Sequence, residues 1–209
     1  MQINIDKKSG ILGGIIVILL VIIMSMGMSR NVDRGFFGMN GFGMMGSNHN
    51  NGPSDLSGAD IMFLQMMIPH HQQAIDMSLM AIAKSQDAEL IALATDIKEG
   101  QSAEIIKMKS WLEQSNAGTG MEDSMGHSMG DSMGGMLTDT ELADLNAAIG
   151  KNFDLLWLKG MTAHHDGAIH MSQMIEDAKN SEIKRFGENI VSAQTAQIEQ
   201  MNAMIARLN

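Results

Sequence analysis

Two histidine pairs carry the most chemically distinctive pattern in this chain. His70-His71 and His164-His165 each follow a methionine by three or four residues (Met67 and Met161) and precede another by six or seven (Met77 and Met171). Imidazole nitrogen and thioether sulfur both ligate copper, and thioether favours the soft Cu(I) state. On a helix turning about 100° per residue, Met67, His70, His71, Ala74 and Met77 share an arc of about 120°, with Asp60 on the same face two turns earlier. Met161, His164, His165 and Met171, with Asp154, repeat that face in the second half of the chain. Asp76 and His170 point the opposite way, so they are expected to look outward. Two such faces brought together would gather imidazoles and thioethers around one or two ions.

The elements that position these residues come from an internal duplication. Asp60 to Ser78 aligns without gaps on Asp154 to Ser172 at an offset of 94, and nine of those nineteen positions are identical. A second stretch repeats at an offset of 93: Ile97, Gln101, Ala103, Ile105 and Met108 recur as Ile190, Gln194, Ala196, Ile198 and Met201. Leu90, Leu93, Ile97, Gln101, Ile105, Met108 and Leu112 step by three or four, as the apolar stripe of a helix does. Ile183, Phe186, Ile190, Gln194, Ile198, Met201 and Leu208 do the same. Each copy therefore reads as a helical hairpin, with breaks near 85–87 and 180–181 and a capping box at Thr138 and Glu141. One hairpin cannot bury its stripe, so two must close on each other. The fold expected is all-α: an antiparallel four-helix bundle over 57–209, with copy one at 57–115, a linker at 116–136 and copy two at 137–209.

Gln101 and Gln194 sit where their stripes call for apolar side chains. Each amide is expected to face the interior and to need a partner, and a histidine N–H would serve as one. Asp60 and Asp154 are further candidates for orienting the histidines. The alternative for the His pairs is hairpin packing with no metal, and stripe methionines such as Met62, Met80, Met108 and Met201 read as flexible core filler. The linker methionines resist a packing explanation. Met121, Met125, Met129 and Met133, with His127, alternate with Gly, Ser and Asp and have no aliphatic neighbour before Leu137. They read either as a string of secondary soft-metal ligands or as a low-complexity tether.

Ahead of the repeat, Gly10 to Ser29 carries no charge and Ile11–Ile23 is almost wholly aliphatic. This reads as a transmembrane helix within 1–30, with Lys7 and Lys8 holding its N-terminus in the cytoplasm and the rest of the chain outside. A cleaved signal peptide is the alternative, and the domain would then be secreted. Residues 31–56, rich in Gly, Asn and Met, form a tether. The membrane is thus one expected partner, and a protein that receives the metal is another, of unknown identity.

The pattern M-x-x-H-H-x-x-A-I-x-M-S at 67–78 and 161–172, with Ile-x3-Gln-x3-Ile-x2-Met after each, resembles the domain-of-unknown-function family 305 over about residues 57–209. The resemblance implies a ferritin-like four-helix bundle, exported or membrane-anchored. Some cyanobacterial members are periplasmic copper-binding proteins linked to copper resistance. Carried over, it implies copper as the bound ion and Met67, His70, His71, Met77, Met161, His164, His165 and Met171 as its site.

Other functions fit the sequence less well. With 24 acidic against 14 basic residues, a net charge of −10 and no tyrosine, a nucleic-acid partner is not expected. The lack of cysteine removes thiolate zinc and iron–sulfur sites. A di-iron oxidase needs interior Glu-x-x-His pairs, and no glutamate stands three residues before any histidine here. No serine sits in a nucleophile-elbow setting. The chain is expected not to be an enzyme, the remaining alternative being a structural or interaction bundle.

Overall fold

A computed structural model describes residues 55–118 and 134–209. The expected membrane segment, nearly all of the tether, and Met121, Met125, His127, Met129 and Met133 lie outside the described residues. Among the described residues no helix is long and apolar enough to cross a membrane.

The described chain is all-helical. Helix α1 (Gly58–Lys84) opens on a capping box in which the Ser57 hydroxyl accepts from the Asp60 amide and the Asp60 carboxylate accepts from the Ser57 amide. It runs unbroken through Pro69. Three residues turn the chain into α2 (Ala88–Gln114), capped by the Asp87 carboxylate. Copy two begins with a short helix, α3 (Asp139–Ala147), on the expected Thr138–Glu141 capping box. Then come α4 (Gly150–Ser172), a 3-10 turn at Gln173–Ile175, and α5 (Ser181–Leu208), capped by Asn180. Helix α3 precedes the repeated stretch of copy two, whose helix α4 opens at Gly150.

Helices α1 and α2 form one hairpin and α4 and α5 the other, and the two hairpins pack together through α1 and α4. The indole Nε1–H of Trp157 donates to the Met77 carbonyl at 2.8 Å, seven residues beyond His70 and seven before His164. Helices α1 and α4 therefore run antiparallel and cross at that histidine pair. Because His70 and His164 are equivalent positions of the repeat, the pseudo-twofold axis of the duplication passes between them.

Two apolar clusters lie on either side of the crossing. One gathers Phe63, Leu64, Met67, Ile105, Trp111, Met171 and Phe186, with Trp111 edge-on to Phe186 at 5.1 Å. The other gathers Met77, Leu90, Ile97, Phe153, Trp157, Met161 and Met201. Gln101 falls between Ile97 of one cluster and Ile105 of the other, so the four paired histidines with Gln101 and Gln194 form a polar stratum between the clusters.

The end of the linker is fastened to that stratum. The Leu137 amide donates to Gln73 Oε1 at 2.8 Å, and Gln73 Nε2 donates to the Leu137 carbonyl at 2.9 Å. Gly135 adopts φ +82° against the Ala163 carbonyl, and a Cβ on Gly167 would overlap the Gly134 carbonyl. Only glycine lets these two backbones approach so closely. Gly167→Ala is expected to lower the free energy of unfolding by about 1–3 kcal/mol through this overlap. Gly100→Ala, where an added Cβ meets nothing within 4 Å, should raise it by roughly 0.5–1 kcal/mol. Urea unfolding of both variants against the parent protein checks the pair.

Candidate metal centre

All four paired histidines have 0% solvent exposure. The His70 and His164 rings stack with centroids 3.8 Å apart and planes tilted by 37°, and His165 lies with its centroid 6.3 Å from that of His164. Three of the four are held in the same way. Nε2 of His70 faces the Gly134 carbonyl at 3.2 Å, Nε2 of His71 the Glu104 carboxylate at 2.7 Å, and Nε2 of His165 the Gln197 side-chain oxygen at 2.8 Å. Each partner is an oxygen that accepts, so each Nε2 carries the proton and donates. The lone pair of each ring is then on Nδ1, and all three Nδ1 atoms are buried without a hydrogen-bond partner. His164 has neither nitrogen partnered.

A buried acceptor left unpaired costs about 1–3 kcal/mol, so four such rings are poor material for packing alone. They suit metal ligation better: a ligating imidazole offers one lone pair and commonly donates its other N–H to an oxygen, which fixes ring orientation and strengthens the donor. Burial also keeps His70, His164 and His165 in the neutral, ligating form. It pushes His70 down to about 3, with His71 nearby adding to the shift. Burial pushes His165 down to about 4 and His164 well below the ordinary range, the latter helped by His70 and His165.

The methionines flank this stratum. Met67 and Met171 close one apolar cluster, Met77 and Met161 the other, and all four are buried. Among the described residues no three His, Asp or Glu side chains converge on one point. An ion held here would draw on thioether sulfur as well as imidazole nitrogen, a donor set that suits a soft cation.

The expected orienting residues fall elsewhere. Asp60 caps the start of α1, ten residues and about 15 Å along the helix from His70, and so does not reach the imidazoles. Asp154 is buried near the start of α4 with Oδ1 unpartnered. Gln101 and Gln194 do enter the polar stratum, but neither bonds a histidine: both side-chain ends of Gln101 and Oε1 of Gln194 lack partners. The histidine partners are Glu104 and Gln197, one turn further along each helix. They too are repeat equivalents, at the same offset of 93, but one is a carboxylate and the other an amide. A polar residue three positions after each stripe glutamine was the available signal. Because Glu104 and Gln197 differ in type, identity between the two copies does not single them out. Gly134, which holds His70, had no signal at all, because a backbone carbonyl leaves no trace in residue types.

Residues 60–205 match the family described as Domain of unknown function (DUF305), and the chain belongs to that family. Among solved structures, the DUF305 protein of Streptomyces coelicolor is similar at 32% identity and a TM-score of 0.66, over 72% of this chain and 93% of that one. CopM in its Cu(II)-bound form is similar at 32% identity and a TM-score of 0.59, over 72% of this chain and 97% of that one. CopM in its Cu(I)-bound form gives 29% and 0.58, over 73% and 98% of the two chains. The uncharacterized protein L153 of Acanthamoeba polyphaga mimivirus is 42% identical over 55 residues, or 26% of this chain. That match spans 36% of the mimivirus protein's own length.

The depressed histidines couple stability to pH. Unfolded, these rings take up protons near 6.5; folded, His70 and His165 do so only near 3 and 4, and His164 well below its ordinary value. The unfolded chain thus binds more protons in acid. Stability of the metal-free protein is expected to be level above about pH 7 and to fall as pH drops from about 6.5 towards 4. With three rings acting, the slope reaches about 4 kcal/mol per pH unit. Urea unfolding from pH 8 to 4.5 measures it, and His164→Leu should remove about a third of the slope.

Proposed function

We propose that this protein binds copper outside the cytoplasm, sequestering it or passing it to a recipient protein, and catalyses no reaction. The observation that carries the reading is the set of three buried imidazoles, each with Nε2–H tied to an oxygen and Nδ1 left with nothing to accept from. A core selected only for packing would satisfy those atoms or replace them by apolar groups. The likeness to CopM, which has been solved with Cu(I), Cu(II) and silver, supports copper as the ion.

His70, His71, His164 and His165 would supply nitrogen, and Met67, Met77, Met161 and Met171 sulfur. Bound copper would compensate the buried, unpartnered lone pairs and bridge the two copies of the repeat at their crossing. The domain in this reading is a four-helix bundle of ferritin-like type, tethered by 31–56 to a single membrane span in 1–30, with Met121, Met125, His127, Met129 and Met133 as secondary, weaker ligands. An enzymatic di-metal centre is less well supported, since among the described residues Glu104 is the one carboxylate bonded to these four rings, and it meets the proton-bearing nitrogen of His71.

His70→Ala with His164→Ala is expected to weaken Cu(I) binding by more than the roughly 10–100-fold that loss of an outer partner costs. Competition against a Cu(I) chelator reads this, and circular dichroism checks that the helices persist. Affinity unchanged in the double variant would move all binding to the methionine-rich segments and end this account of the bundle.

A further inference from the structure

The two halves of the polar stratum are equivalent in geometry and unequal in charge. His71 donates to the Glu104 carboxylate at 2.7 Å, and its repeat equivalent His165 donates to the Gln197 amide oxygen at 2.8 Å. Glu104 and Gln197 occupy the same position of the duplicated helix. Duplication alone would have made them alike. The difference leaves one ring bonded to an anion and the other to a neutral dipole.

We propose that Glu104 is a positioning residue that sets the oxidation-state preference of the copper site, favouring Cu(II) through His71 where the second copy, with Gln197 on His165, does not. The inference rests on the copper reading given above. A carboxylate on the outer N–H of an imidazole draws the proton towards itself and makes the ligating nitrogen a stronger donor. Its negative charge also acts on the ion directly. That Coulomb attraction scales with ionic charge, so a divalent ion gains about twice what a monovalent ion gains at the same place. The Glu104 side chain is 28% exposed and His71 fully buried, so solvent screens the carboxylate only in part. The thioethers pull the other way, towards Cu(I). A site that keeps both kinds of donor can retain the ion across a change of oxidation state. The amide at Gln197 gives the second half orientation without charge.

The test uses the full chain and copper itself. Cu(I) affinity is measured by chelator competition under anaerobic reducing conditions and Cu(II) affinity by competition in air. The variants are Glu104→Gln, Gln197→Glu and the double exchange. Glu104→Gln, nearly isosteric, is expected to weaken Cu(II) by about 10–100-fold and Cu(I) by about 3–10-fold. The Cu(II) to Cu(I) affinity ratio then drops about 3–10-fold, which raises the midpoint potential by roughly 30–60 mV at 59 mV per tenfold change. Gln197→Glu should shift the ratio the other way, and the double exchange should return it to within about twofold of the parent. Glu104→Asp, which keeps the charge, should recover part of the shift. An equal loss of both ions in Glu104→Gln, or no loss of either, overturns the proposal by leaving Glu104 a packing role or none. His71→Ala separates this failure from that of the underlying reading: if it leaves both affinities intact, copper is not held at the stratum in the first place.

Discussion

Four imidazoles lie buried at the crossing of two helices, and the rest of the described structure is arranged around the difficulty of keeping them there. A neutral ring in an apolar interior needs its N–H satisfied, and three different devices meet that need: a backbone carbonyl at Gly134, a carboxylate at Glu104 and an amide at Gln197. None of these satisfies the ring's second nitrogen. Apolar clusters lie on either side of the rings. Against that cost stand the two clusters, which bury large apolar side chains including Phe63, Trp111, Phe153 and Trp157.

The duplication explains why the histidines meet. Antiparallel α1 and α4 are related by a pseudo-twofold axis, and residues near such an axis face their own equivalents. His70 therefore stacks on His164, whereas Met77 faces Trp157 instead of Met171. A single copy presents one His pair, and the crossing doubles it. Among the described residues, two departures from this symmetry involve the histidines. The linker end reaches His70 but not His164, with Gly135 and Gly167 allowing the close backbone approach. Glu104 and Gln197 then divide the outer contacts of His71 and His165 into charged and neutral. Each departure alters the nitrogen that does not carry the lone pair, and so changes how a ring is held without changing what it offers.

Much of this was legible in the residues. The three-to-four spacing of Leu90, Leu93, Ile97, Ile105 and Met108 identified the buried face of α2, and all five are buried. Thr138 with Glu141 marked a helix start, and the capping box forms there. The inward face carrying Met67, His70, His71 and Met77 was also readable, since helical periodicity alone assigns side chains to a face, and Asp76 and His170 are exposed as that periodicity requires. The orienting partners were not readable in the same way. Gln101 looked suitable because it interrupts an apolar stripe, yet reaching a particular ring nitrogen depends on the axial offset between neighbouring helices, which no single helix encodes. One turn of offset moved the contact from Gln101 to Glu104.

The sequence by itself determined the helices of the two hairpins, their buried faces, the two-copy plan and the family, because these follow from local periodicity and from comparing the chain with itself. Only the tertiary structure decided that His70 would lie on His164, that a carbonyl of the linker would hold one of them, and that a carboxylate and an amide would occupy equivalent places behind the other pair. Those are distances between segments remote along the chain. They are set by how side chains of two hairpins interlock, and residue spacing within either hairpin carries no record of that fit.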